Sequence, residues 1–441
     1  MKPVYSETKK HKNLVIIGSG PVGMVSALML KDHFEKVILL ERQSKESFLR
    51  KHGFTFPIVF SPAAIKILEN IGAWDAIKSE RSEFFGVVIH KRIMGKEFEF
   101  TSAQDGVYSH WRNHIVAMLY ECVQEHRIHI HFDANVEDID FQNNICRESK
   151  LGDVPFDLLL GADGINSFTR SLMAKAHPTF AEGAFNLTLL DNWYAYRLPA
   201  KGTLRDKFGG GSRFLASNVY VDNLATHPSD KFRIVTTSMK QPSEEISVLI
   251  KHDAALDLKQ VKELNESCFG QFVDSAQVLN EAWDAGYAGK FDQVQAPTFN
   301  LNAVLLVGDA AHGFESTGDL INMGIASIGS FCEIFNNSPS ISEALHAYDE
   351  TVGDSLRYYA DFSFRRSKEK ISAEVATIEF AARLGITSRH PSLFGIFEDD
   401  FEIRKYMQKY KRDLLKVKLM FFGIPIMLLL LKLFFPKRKN A

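Results

Sequence analysis

The chain has 441 residues, 45% of them hydrophobic and 24% charged, with a formal net charge of −2. That length predicts two or three domains with sizeable cores, and so balanced a charge offers no basic field to a nucleic acid. Cys122, Cys146, Cys268 and Cys332 are scattered without a C-x-x-C pair, so neither a disulfide framework nor a zinc site is expected and a reducing compartment fits.

Met1 to Lys12 is polar and basic with no apolar run, so no secretory signal is read there. Leu14-Val15-Ile16-Ile17 then reads as a buried parallel strand, and Gly18, Gly20 and Gly23 follow at G-x-G-x-x-G spacing as a helix opens at Met24. Such a turn brings backbone close to a pyrophosphate and aims a helix N-terminus at it. Val37 to Leu40 supplies a second strand ending in Glu41, 18 residues after Gly23, where a carboxylate suits a ribose diol. Arg50 either answers the pyrophosphate or solvates a loop. Ser61-Pro62 opens a helix that runs through Ile65 and Leu68 to Gly72.

Gly86 to His90 and Glu97 to Phe100 alternate as antiparallel strands and mark an excursion into a second domain. Trp111 to His114 begins an amphipathic helix with Ile115, Met118, Leu119 and Cys122 on one face. Ile128 to Phe132 reads as a strand whose His129 and His131 lack a third ligand, so no metal is expected. Phe156 to Leu160 runs into Gly161-Ala162-Asp163-Gly164, placing Asp163 and Gly164 at the carboxyl end of a strand. Two readings stand there, a cofactor contact or a tight turn built on Asp and Gly.

From Phe185 to Lys251, four alternating runs predict one antiparallel sheet able to roof a nucleotide site, and Asp257 to Phe272 reads as helix. Asn302 to Val307 is a further buried strand delivering Gly308-Asp309, followed by a loop through Gly318 and a helix from about Asn322. Asp309 there is well placed for a ribityl or ribose hydroxyl. Ala344 to Leu384 is mostly helical, with Arg365, Arg366, Lys368 and Lys370 on a solvated face. Most of the 35 phenylalanines are read as core.

Leu419 to Phe435 holds one charge in 17 residues, with basic residues on both sides. As a helix it spans roughly 25 Å against a hydrocarbon core of ~30 Å, and Lys432 lies close enough to its end to snorkel. A C-terminal membrane anchor is expected, either spanning or lying in the interface.

The three Gly- and Asp-bearing blocks, Gly18 to Arg42, Gly161 to Gly164 and Gly308 to His312, resemble in order and spacing the FAD-dependent aromatic hydroxylase family of single-component flavoprotein monooxygenases. The similarity covers about residues 12 to 350. It implies an α/β fold: a Rossmann-like FAD-binding domain, an interleaved antiparallel β-sheet substrate domain, and a C-terminal helical region with the membrane anchor. The corresponding boundaries are 1–82, 106–180 and 296–350 for FAD binding, 83–105 and 181–295 for substrate, 351–415 for the helical region and 416–441 for the anchor.

The resemblance implies FAD as resident cofactor, NAD(P)H as transient reductant, and O2 and a small molecule as substrates. It implies cofactor contacts from Gly18, Gly20, Val22, Gly23, Glu41, Arg42, Arg50, Arg112, Asp163, Gly164, Asp309, Ala311, Gly318 and Asn322. Phe56, Tyr194, Tyr196 and Phe314 are candidates for the substrate side. No metal, catalytic triad or nucleic acid partner is expected, and the catalytic domain is placed on the cytoplasmic side of a membrane.

Within the family, the kynurenine 3-monooxygenase branch is similar at Ile89-His90, Arg112, the Asp157 to Arg170 block and the apolar tail. Two of that branch's polar anchors are missing. Val87 stands where an arginine binds the substrate carboxylate, and Phe364 stands where its helix carries an acid. A less charged substrate follows. The segment Ser316 to Asn322 also departs from the family's flavin loop, lacking its Pro and second Gly. A halogenase or oxidase on the same scaffold, faintly echoed by Tyr194 to Pro199, and a tethered FAD-binding protein of low turnover are the alternatives.

Overall fold

The computed structural model describes residues 10–50, 57–78, 82–93, 96–177, 188–199, 216–219, 232–239, 245–252, 256–269, 273, 275–294, 296–313 and 320–360, with 412, 413, 415, 416 and 419. In chain order the first half holds β1 (His11–Ile17), α1 (Pro21–Leu30), β2 (Phe34–Leu40), α2 (Lys45–Phe48), β3 (Pro57–Phe60), α3 (Pro62–Asn70), α4 (Trp74–Lys78), β4 (Ser82–Ile93), β5 (Lys96–Trp111), α5 (Arg112–Glu125), β6 (His129–His131), β7 (Val136–Asp140), β8 (Ile145–Glu148), β9 (Gly152–Pro155), β10 (Leu158–Gly161) and α6 (Phe168–Ala176). The second half holds β11 (Thr188–Pro199), β12 (Ala216–Val219), β13 (Phe232–Met239), β14 (Glu245–His252), α7 (Leu258–Phe269), α8 (Ala276–Asp284), β15 (Tyr287–Gln293), β16 (Asn300–Leu301), β17 (Val304–Leu306), α9 (Asp309–His312), α10 (Leu320–Asn337) and α11 (Ile341–Tyr348).

Six strands form the first sheet in the order β16-β17-β10-β1-β2-β6. Its centre is parallel: Val15 pairs with Leu159 on one side and Ile38 on the other. Leu14, Val15, Ile16, Leu158, Leu159 and Leu160 are fully buried. Helices cover both faces of a parallel sheet, which is why these strands are unbroken apolar runs. The Asp157 carboxylate pins the register of β1, accepting the Lys12 and Asn13 N–H groups at 2.7 and 2.8 Å. With β1 and β10 so aligned, both deliver their glycine turns to the same edge of the sheet.

The second sheet has eight strands, β15-β11-β14-β13-β12-β4-β5-β3. The four runs expected between Phe185 and Lys251 are all present as strands, but two features differ from a plain antiparallel sheet. β12 pairs with β4 in parallel, and β15, which the sequence pattern did not announce, forms the edge beside β11. One face of this sheet packs on α7 and α8 through Tyr194, Tyr196, Leu198, Val248, Ile250, Val261, Leu279 and Trp283. A small three-stranded sheet, β7-β8-β9, sits apart from both.

Capping follows the sequence signals. Ser61 Oγ accepts the Ala64 N–H at the start of α3, and Ser167 Oγ accepts the Arg170 N–H at the start of α6. After α11 the chain passes through a π-helical turn, Asp349–Gly353, into helical residues 354 to 360. The expected helix beyond them, the cations Arg365 to Lys370, and Phe364 lie outside the described residues, as does nearly all of the expected anchor at 416–441. Among the described residues no helix is long and apolar enough to cross a membrane.

Candidate functional site

β1 ends in a turn whose geometry only glycine allows at two places. Gly18 has φ +96°, and a Cβ on it would lie 2.5 Å from the Ala162 carbonyl oxygen; one on Gly23 would lie 2.1 Å from that of Gly18. These glycines let the β1 turn, the β10 turn and α1 close on one another. Gly20 is different, since nothing lies within 4 Å of where its Cβ would be. It is also the N-cap of α1, with no side-chain cap, so the first N–H groups of a ten-residue helix face the open side of the turn. Ser19 Oγ, fully buried beside it, has no hydrogen-bond partner. An uncapped helix start, open space at Gly20 and an orphaned hydroxyl together fit a pyrophosphate.

Glu41 closes the far side of that turn. It is 6% exposed, and its two carboxylate oxygens accept the Ser19 and Gln43 N–H groups, each at 3.0 Å. A carboxylate oxygen has more than one lone pair, so both remain able to accept from a ribose hydroxyl.

β17 delivers Gly308, in the left-handed region at φ +59°, and then Asp309 at the start of α9. Burial pushes the Asp309 carboxyl above its ordinary range, and the nearby Arg112 guanidinium, from the first residue of α5, pulls it back. These two residues, 197 positions apart in sequence, thus share one electrostatic environment. Arg112 itself reaches solvent. Arg170, which the sequence pattern did not single out, links the second and third blocks: its guanidinium donates to the Ala310 carbonyl at 2.8 Å and the Ile165 carbonyl at 2.6 Å. Burial lowers its pKa while Asp163 opposes the shift.

Several expected contacts have other partners. Asp163 is a turn residue: its carboxylate accepts from Ser167 Oγ, from the Thr169 N–H at 2.9 Å and from Thr169 Oγ1 at 3.1 Å, which organises the start of α6. Gly164 serves the same turn with φ +77°. Asn322 is 1% exposed, and its Oδ1 accepts the Ser61 N–H at 2.9 Å, tying α10 to α3. Val22 packs against Gly308 and Gly324, and Ala311 is buried. Arg42 and Arg50 are exposed.

The tyrosines suggested for the substrate side face away from the site. Tyr194 stacks on Trp283 at 4.1 Å and donates to its carbonyl, while Tyr196 Oη donates to Asn265 Oδ1 at 2.9 Å. Period-two alternation puts them on the face covered by α7 and α8. The opposite face of β11 carries Arg197, whose guanidinium lies 5.0 Å from the Trp111 ring centroid, next to Arg112. Phe56, Phe314 and Gly318 lie outside the described residues. Among those described, no cluster of three or more metal-ligating side chains occurs.

Residues 11–194 match the family model of an FAD binding domain. The chain is 24% identical to a kynurenine 3-monooxygenase of Christiangramia forsetii, with 93% of this chain and 95% of that protein covered. It is 23% identical to the mitochondrial ubiquinone biosynthesis monooxygenase COQ6 of Caenorhabditis elegans, with 79% and 80% covered. Among solved structures, 2-methyl-3-hydroxypyridine-5-carboxylic acid oxygenase superposes with a TM-score of 0.66 at 16% identity, over 89% of this chain and 98% of that one, which shows a shared fold. The cradle at Gly20 fits the pyrophosphate of the dinucleotide that the matched domain binds, and the relatives spanning most of the chain are monooxygenases. The protein is an FAD-dependent monooxygenase, and its chain is similar to those of the FAD-dependent aromatic hydroxylase family.

Proposed function

We propose that the protein uses NAD(P)H and O2 to insert one oxygen atom into an uncharged aromatic or apolar small molecule. The balance is substrate, O2, NAD(P)H and a proton giving hydroxylated or epoxidised substrate, water and NAD(P)+. Bound FAD supplies the redox and oxygen-transfer chemistry. The protein's own groups bind and orient. The α1 N-terminus and Gly20 hold the pyrophosphate, Glu41 accepts from ribose hydroxyls, and Asp309 accepts from the ribityl chain with Arg112 balancing its charge. The eight-stranded sheet limits water on the reacting side.

The observation that carries the reading is the convergence of Gly20, Arg112 and Asp309 at the carboxyl edge of one parallel sheet, where open α/β sheets bind ligands. The preference for an uncharged substrate rests on Val87, which stands in β4 where a carboxylate-binding arginine is expected. A panel of uncharged phenols and indoles, each paired with its carboxylate-bearing analogue, tests both points. Uncharged members should accelerate flavin reduction by NADPH and yield an oxygenated product once O2 is admitted. Reduction that no panel member accelerates, with no product, would sink the reading.

Attachment to a membrane, with the catalytic domain on the cytoplasmic side, is supported by the apolar run from Leu419 to Phe435 and its basic flanks. Removing everything after Lys418 should release the protein from membranes. Continued sedimentation with them would count against the anchor.

A further inference from the structure

Behind the turn that carries Asp309 lies a cavity of about 300 Å³, lined by Val294, Ala296, Phe299, His312, Arg357 and Ala360 among others. Its walls are mostly apolar, yet one of the lining side chains, His312, is fully enclosed and polar and has no partner. His312 is 1% exposed, and neither Nδ1 nor Nε2 has a hydrogen bond. Gln293 is also 1% exposed; its Nε2 donates to the Ala360 carbonyl at 2.7 Å, while its Oε1 has no partner. The Val294 N–H donates to the Gly313 carbonyl at 2.6 Å, which ties the chain after Gln293 to the chain after His312. Native proteins pair such buried groups, so the orphaned His312 ring lining a cavity points to an occupant.

The chemistry of that occupant follows from what the walls offer. Arg357 is the one cation among the described lining residues, and Asp349 already engages it through Oδ1 at 2.8 Å and its carbonyl at 3.0 Å, with the guanidinium 5.1 Å from the Phe299 ring centroid. No charge remains for an anion. Burial holds His312 down at about 4, so at neutral pH its imidazole presents one N–H donor and one acceptor. A hydroxyl both donates and accepts, and a ring fills apolar space beside Phe299.

We propose that this cavity binds an uncharged molecule of the phenol class, with its hydroxyl on His312 and its ring against Phe299. The inference rests on the cavity alone and stands or falls independently of the substrate at the flavin.

Crystals of the FAD-loaded protein soaked in 4-bromophenol should show bromine anomalous density in the cavity. In solution, 4-fluorophenol followed by fluorine NMR should bind the FAD-loaded protein and bind the cavity-filling variant Ala296→Leu at least tenfold more weakly. Flavin absorbance should be retained in that variant. Ala360→Leu, which fills the space from the other wall, gives the same reading should Ala296→Leu fail to fold. Bromine only elsewhere, water alone on His312, equal affinity in the filled variants, or benzoate binding as well as the phenol would each overturn the proposal.

Discussion

Val22 Cγ2 lies 2.6 Å from the point a Cβ on Gly324 would occupy, so the start of α1 and the first turns of α10 are packed to the limit that a glycine allows. This contact joins the first nucleotide block to the helix that follows the third. Gly324→Ala should therefore displace Val22 and destabilise the protein by ~1–3 kcal/mol through overpacking. Adding Val22→Ala should recover part of that loss. A double-mutant cycle in urea checks the coupling, and additive effects would show that the two residues do not share a contact.

Gly18 and Gly20 should respond differently to alanine. Gly18→Ala meets the Ala162 carbonyl and a positive φ, and is expected to impair folding. Gly20→Ala meets no protein atom, so the apoprotein should unfold within ~0.5 kcal/mol of wild type. Its methyl instead enters the space of the pyrophosphate, and the FAD dissociation constant should rise by roughly tenfold or more, about 1.4 kcal/mol. Thermal unfolding of the apoprotein and flavin fluorescence titration separate the two cases.

Arg170 bridges two backbone carbonyls with one planar group, a geometry lysine cannot reproduce. Arg170→Lys should lose one of these charge-assisted bonds, at a cost of ~1.5–3 kcal/mol. Since the Ala310 carbonyl lies inside α9, FAD affinity should fall together with stability. Loss of stability at unchanged FAD affinity would separate Arg170 from the site.

His312 carries a pH signature. Its folded-state value of about 4 lies below the ordinary 6.5, and burial is the cause. Between those values the unfolded chain takes up a proton that the folded chain does not, so stability is full above 6.5 and falls as the pH drops. At pH 5 this one group accounts for about 2 kcal/mol. His312→Leu should flatten the stability profile between pH 7 and 5 by that amount, as read from urea midpoints. An unchanged slope would assign the acid sensitivity to other groups.

The parallel sheet was legible because β1, β10 and β17 are each an apolar run ending in Gly or Gly-Asp, a pattern that few other structures require. The roles of the acids were less so. Spacing places Asp163 at a strand end, yet only coordinates show its oxygens turned toward Ser167 and Thr169. Tyr194 and Tyr196 illustrate the same limit: alternation says that they share a face, not which face meets the helices. β15 escaped because Ala288-Gly289-Lys290 breaks the apolar alternation, and Gly289 is there for Trp193, whose Cζ2 lies 2.1 Å from where its Cβ would be. Arg170 lay inside a motif already noticed, but its reach to Ala310, 140 residues away, has no local signal.

The parallel pairing of β12 with β4 sets the order in which the second sheet is assembled during synthesis. Ser217 sits opposite Val88, so β4 and β5 emerge from the ribosome as a hairpin whose inner edge waits for roughly 105 more residues. Throughout that interval the strand presents unpaired N–H and C=O groups to any extended chain nearby. Heterologous expression should therefore be limited by aggregation of nascent chains, and slower translation between residues 112 and 215 should worsen it even though the finished fold is unchanged.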